Sequence, residues 1–185
     1  MGFQRAPDAV HRLATDTSGC LLLARNPKAL KRFNKAFEER LVAKTYLAVL
    51  AGRPQGESGT IRLKLAKISS EAKGWRMIAA KQGKEAVSHW ERVQALGAHS
   101  VIRFAPETGR THQLRIHAHK GLGAPLLGDP IYGSESQRGK GAKRTMLHAS
   151  SLIVPREGKP AIEAHAPLPT DFTALGVSEP GPRDG

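Results

Sequence analysis

The chain has 185 residues, with 29 Lys and Arg against 16 Asp and Glu, a formal charge of +13 and a pI near 10.4. Its 39% hydrophobic content is ordinary for a globular protein, and one domain of this length buries about 70% of the surface its unfolded chain exposes. The lone Cys20 excludes a disulfide framework and a paired-cysteine zinc site. No apolar stretch approaches the roughly 20 residues that span a bilayer, and Met1 to Pro7 lacks the apolar core of a signal peptide. A reducing, cytoplasmic setting with no membrane is expected. The basic excess points to a polyanionic partner, because each phosphate neutralised by Lys or Arg releases condensed counterions.

In chain order, residues 19–25 form a short continuous apolar run that reads as a buried strand, with Cys20 in the core. Asn26-Pro27 then starts a helix, since Asn caps well and Pro is favoured at the first helical position. Leu30, Phe33, Phe37 and Leu41 recur at three- and four-residue spacing among Lys28, Lys31, Arg32 and Lys35, which predicts an amphipathic helix of about four turns. Residues 45–52 read as a strand, and Arg53 to Gly59 as a turn-rich connector. Shorter strands are expected at 60–65, 75–79, 86–95 and 99–105, with turns at Lys73-Gly74, Gln82-Gly83 and Leu96-Gly97. A second helix is expected from Thr111 to Lys120, ending at Gly121, and further strands at 146–154 and 161–166. Two helices among many strands indicate an α+β fold with a mixed, mostly antiparallel sheet. Residues 1–175 are expected to form one domain and 176–185, rich in Pro and Gly, a disordered tail.

Three separate blocks stand out. The first is His11-Arg12-Leu13-Ala14-Thr15-Asp16-Thr17-Ser18-Gly19, and the second Lys44-Thr45-Tyr46-Leu47-Ala48-Val49-Leu50-Ala51-Gly52. The third is Thr108-Gly109-Arg110-Thr111-His112-Gln113-Leu114-Arg115-Ile116-His117, continued by Pro125-Leu126-Leu127-Gly128-Asp129-Pro130-Ile131-Tyr132-Gly133. Weaker matches follow at Leu147-His148-Ala149 and at 166–172. In this order and spacing the blocks resemble those of RNA pseudouridine synthases of the RluA-like family, over roughly residues 8 to 175. The resemblance implies that family's catalytic-domain fold, a uridine-isomerising activity on ribosomal or transfer RNA, and no cofactor. It also implies a strand, and often a small RNA-binding domain, ahead of the first block. Neither has a counterpart here, so the chain reads as N-terminally truncated, either as a fragment or with a sheet one strand short and an exposed edge.

An enzyme that acts on a base in folded RNA must extrude that base and brace the gap. By resemblance Arg12 does so, with a planar guanidinium that can stack on bases and bind phosphate. His11, Arg110, Thr111 and His112 are assigned beside it to RNA binding and base flipping. Arg110 could equally be a structural bridge and His112 a structural hydrogen-bonder. Tyr46 would stack on the flipped uracil and help remove the C5 proton, though a core tyrosine with a satisfied hydroxyl is the alternative. Arg115 would pair with the family's catalytic Asp. That Asp is replaced here by Ala14.

Alanine can be neither nucleophile nor base. The resemblance therefore implies an inactive or very slow enzyme, with a non-catalytic RNA-binding or RNA-folding module as the alternative. Arg115 must find water, phosphate or another carboxylate, because an unpaired buried guanidinium is costly. Asp16 is the carboxylate nearest to Ala14 in sequence, and in an extended segment it would share a face with Ala14, about 6–7 Å along the strand. Free N–H groups at the start of the second helix would add an anion site. His112, His117 and His119 lack a fourth ligand, so no metal is expected. No Gly-rich nucleotide-binding loop is present, so no nucleotide cofactor is expected.

Overall fold

A computed structural model describes residues 6–70, 74–133 and 141–181. Its strands are β1 (Asp8–Ala9), β2 (Ser18–Gly19), β3 (Leu23–Ala24), β4 (Ala43–Leu50), β5 (Ser58–Ser70), β6 (Gly74–Ala79), β7 (Lys84–Leu96), β8 (His99–Pro106), β9 (Leu147–Arg156) and β10 (Lys159–His165). The helices are α1 (Pro27–Glu38), α2 (Gln113–Ile116), continued by a π-helical turn over His117–Gly121, and α3 (Thr170–Ala174). Eight strands make one sheet in the order β10-β9-β4-β8-β7-β5-β6, each neighbouring pair antiparallel, with β2 joining β9 in parallel. The mixed, mostly antiparallel sheet with few helices is the one the sequence predicts. None of the helices is long and apolar enough to cross a membrane.

Both faces of the central strand β4 are covered, which is why its Leu47–Leu50 run is apolar without alternation. Ala48 and Leu50 join Ile102, Phe104, Leu114 and Ala118 on the face that carries α2. Leu47 and Val49 point the other way, to Val101, Met146, Phe172 and Val177. That second face is closed by α3, an element the sequence reading does not assign. Helix α1 covers the end of the sheet, packing Phe33, Ala36 and Phe37 with Val42, Leu152 and Val154.

Four expectations are corrected. Residues 19–25 are not one buried strand: they split into β2 and β3, and Leu21 and Leu23 stay about half exposed. Gly19 makes the break possible. It has φ +111°, and a Cβ there would lie 2.2 Å from the Ala149 carbonyl oxygen, against which β2 pairs. Helix α1 runs three turns rather than four. Asn26 Oδ1 accepts from the Ala29 N–H at 2.9 Å as expected, but Arg40 takes φ 59° and turns the chain, so Leu41 lies outside the helix and exposed. The second helix begins at 113, not 111, because His112 is left-handed at φ 53°. Finally, the chain packs as far as 181: Val177 is buried, Ser178 N–H donates to Gln94 Oε1 at 3.0 Å and Arg103 Nη2 to the Gly181 carbonyl at 2.6 Å. Lys73 of the predicted Lys73-Gly74 turn and residues 182–185 of the tail lie outside the described residues.

Candidate active site

The three blocks meet at a cavity of about 570 Å³ at the sheet's α2 face. The first block contributes residues 11–15 and 17, the second Lys44 and Tyr46, and the third 108–115, with Val10, Phe37, Trp75, Pro106 and Leu147 completing the wall. All eight residues singled out from sequence line it: His11, Arg12, Ala14, Tyr46, Arg110, Thr111, His112 and Arg115.

In the first block the chain reverses in a turn closed by the Thr17 N–H to the Ala14 carbonyl at 3.0 Å, with Asp16 left-handed at φ 66°. The segment is therefore not extended, and the expected sharing of a face between Ala14 and Asp16 fails: Asp16 is exposed and absent from the lining. Arg144 fixes the turn from behind, donating from Nη1 to the Asp16 carbonyl at 2.8 Å and from Nη2 to Ser18 Oγ at 3.0 Å. The same guanidinium is bidentate on Asp171, at 2.5 and 3.0 Å. Arg12 reaches across the mouth, donating from Nη2 to Thr111 Oγ1 at 2.9 Å and so tying the first block to the third. His11 is held within the protein. Its Nε2 accepts the Leu22 N–H at 3.0 Å and its ring stacks on Phe37 at 4.9 Å. Burial and the nearby Lys44 charge push its pKa down, so the ring is neutral and suited to that acceptor role.

Tyr46 is aimed by a bulge. The β4–β9 register slips between Thr45 and Tyr46, which oppose Ser151 and Ala149, leaving Ser150 as the extra residue. Burial, with the Cys20 side chain a lesser cause, pushes the phenol up to about 12. Among the described residues its hydroxyl makes no hydrogen bond, unlike a structural core tyrosine. Lys44 stands beside it, its pKa lowered by burial and by the Arg40 charge.

The third block is pinned to β7. Buried Gln113 donates from Nε2 to the Val87 carbonyl at 3.0 Å and to Ser88 Oγ at 2.9 Å. Its Oε1 accepts from Thr108 Oγ1 at 2.7 Å and from the Arg110 N–H at 2.9 Å. Arg110 bridges onward, from Nε to the Glu85 carbonyl at 3.0 Å. The anion site expected at the helix start is not formed: α2 has a single turn, and the Gln113 N–H is spent on the Arg110 carbonyl at 3.1 Å.

Arg115 finds its carboxylate in Asp129, not Asp16. The pair is bidentate, Nε to Oδ2 at 2.7 Å and Nη2 to Oδ1 at 2.6 Å, with Arg115 only 3% exposed and Asp129 fully buried. Ile131 and Tyr132 N–H groups donate to Oδ1 at 2.8 and 3.0 Å. Burial pushes the Asp129 carboxyl up, but the Arg115 hydrogen bonds and charge, with those N–H groups, outweigh it and hold it below its ordinary value. His112 joins this assembly, its Nδ1 2.8 Å from the Tyr132 hydroxyl and its Nε2 3.3 Å from Arg115 Nη1. Burial first, then the Arg115 charge, pushes it down to about 4. His117 is fully buried, neither ring nitrogen has a partner among the described residues, and burial takes it to about 4 as well.

Among the described residues the lining holds four cations, Arg12, Lys44, Arg110 and Arg115, and no Asp or Glu. Such a lining can receive an anionic or hydrogen-bonding planar ligand, and none of its described residues is a carboxylate that could act as nucleophile or base. Sequence reasoning gave Asp129, Gln113, Lys44 and Trp75 no role. A carboxylate inside the apolar 125–131 run was a usable signal for Asp129, since such a charge needs a partner to be buried there. Trp75 had no local signal at all.

A sequence model of the RNA pseudouridylate synthase family matches residues 3–120. An RNA pseudouridine synthase of Zymomonas mobilis, itself uncharacterised, is 53% identical over 95% of this chain and 79% of its own length. Ribosomal large subunit pseudouridine synthase C of Rickettsia bellii is 36% identical over 90% of the chain. The chain spans about half the length of that and several other curated relatives. In fold it is similar to the solved human RNA pseudouridylate synthase domain containing 1, with a TM-score of 0.80 and 33% identity over 92% of this chain and 73% of that one.

Proposed function

The chain belongs to the RNA pseudouridylate synthase family, and from that premise we propose that it binds structured RNA in the cytoplasm, ribosomal or transfer, and draws one uridine into the cavity beside Ala14. Isomerisation in this form is disabled or severely slowed. The observation that carries both halves of the reading is the lining itself: among the described residues it holds Arg12, Lys44 and Arg110 beside the paired Arg115, and no carboxylate. Cations attract and orient a nucleotide. A family mechanism in which an aspartate attacks the sugar C1′, or assists glycal formation as a base, has no group to perform that step at position 14.

The remaining roles follow from position. Arg12, tethered to Thr111 at the mouth, braces the gap left by the extruded base. Tyr46 offers its ring face to the uracil. With its phenol at about 12 it stays protonated at neutral pH, so it stacks and hydrogen-bonds, and C5 proton removal needs a second base. Arg115, already neutralised by Asp129, presents Nη1 towards His112 and the cavity without being an uncompensated charge.

A test uses the unaltered chain and ribosomal or transfer RNA transcripts substituted with 4-thiouridine, irradiated and mapped by mass spectrometry. Crosslinks are expected within 12–17, at Tyr46 and within 108–115. Crosslinks confined to the basic face of α1, at Lys28, Lys31 and Arg32, would contradict uridine entry and leave only surface binding of RNA.

A further inference from the structure

Trp75 is about half exposed, yet it lines the cavity, on the edge strand β6. It is not left there loosely. One side of the indole is backed by the His112 ring, 5.1 Å between centroids and 26° from parallel. Two residues along β6, the Met77 N–H donates to the Tyr132 hydroxyl at 3.1 Å, and that hydroxyl holds His112 Nδ1. The strand and the ring behind the indole thus share one anchor, so Trp75 is positioned by the same residues that fix the cavity wall. Lys67, on the paired strand β5, places its ammonium 5.0 Å from the indole centroid. Lys84, paired with Leu65, shares that face of the sheet, and Lys81 is exposed in the turn between β6 and β7, whereas Lys64 and Arg76 alternate to the other face.

An exposed, braced aromatic ring with Lys67 and Lys84 on its face of the sheet, continuous with the cavity, fits a ligand with both flat π-faces and phosphates. Protein partners match it poorly, because the centres of protein interfaces are depleted of lysine. Base–aromatic stacking tolerates any base and adds affinity without adding charge. On the reading that a uridine enters the cavity, we propose that Trp75 is a stacking platform for an unpaired base neighbouring that uridine, with the flexible Lys67 side chain, whose ammonium lies over the ring opposite His112, moving off the indole to the base's phosphate. The site then selects RNA whose uridine lies in a single-stranded or looped segment.

The experiment titrates the full chain with a twelve-nucleotide single-stranded RNA of mixed A and U, and separately with the same strand in a perfect duplex, following tryptophan fluorescence. Only two tryptophans are present, and Trp90 is buried. Single-stranded RNA quenches the emission, duplex does so much less, and Trp75→Phe abolishes most of the change. Trp75→Ala weakens binding about ten-fold or more with the salt dependence unaltered, whereas Trp75→Phe stays within about three-fold because it keeps a π-face. Lys67→Ala lowers the slope of log K against log salt by about one. Affinity in Trp75→Ala equal to the parent, or equal quenching by duplex, overturns the proposal while leaving uridine entry standing. If the parent binds neither RNA, the proposed function falls and this inference with it.

Discussion

Behind one half of the cavity wall, Arg115, Asp129, His112 and Tyr132 satisfy one another, whereas in the other half Thr17 and Tyr46 do not find partners among the described residues. The first half encloses an ion pair that accepts two backbone N–H groups besides the guanidinium, and its histidine is kept neutral. The second half offers a buried Thr17 hydroxyl and a Tyr46 hydroxyl without protein hydrogen bonds, and the Ala14 methyl. The contrast separates two jobs. The satisfied half is a finished piece of protein whose geometry does not depend on a ligand; the unsatisfied half completes its hydrogen bonding with whatever enters.

The largest effect should come from breaking the satisfied half. Asp129→Asn leaves a buried guanidinium without its countercharge, and urea unfolding at pH 7 should register a loss of about 3–5 kcal/mol. Because the Asp129 carboxyl is held below its ordinary value, its contribution is present above pH ~4 and is lost as pH falls through the depressed value. The gap between parent and variant should therefore narrow in acid. A loss under about 1 kcal/mol at pH 7, or a gap that is constant with pH, would show that the pair does not hold the wall. The smallest effect should come from the unsatisfied half. Tyr46→Phe removes a hydroxyl that has no partner among the described residues, so stability should change by no more than about 0.5 kcal/mol. A loss above about 1 kcal/mol would place Tyr46 in the core framework and erase the distinction between the halves.

Much of this was legible in the sequence, for identifiable reasons. Strands β4, β5, β7, β8, β9 and β10 are long and apolar or β-branched enough that their period decides them, and each is bounded by turn residues. The site residues sit in contiguous blocks, so their convergence follows once β4 lies between β8 and β9. The partner of Arg115 is hidden in the sequence because it lies 14 residues on, across the π-helical turn and a loop, while Asp16 is close in sequence to Ala14 and not to Arg115. The local geometry of 14–18 departs from extended alternation because Arg144 and the Asp16 φ of 66° enforce a turn that no residue pattern in the segment announces. Helix α3 was missed because a five-residue helix carries too short a period to read, and Phe172 is fixed by packing against Leu47 and Val49.

The central claim is that a complete uridine site surrounds a missing carboxylate. The direct measurement is pseudouridine formation in ribosomal and transfer RNA by Ala14→Asp and by the unaltered chain, read by mass spectrometry of digested nucleosides. Removing a catalytic nucleophile costs on the order of 10⁶ in turnover, so the account predicts a gain of about 10³-fold or more at a discrete uridine. Equal rates in the two proteins, whether both negligible or both substantial, would contradict it.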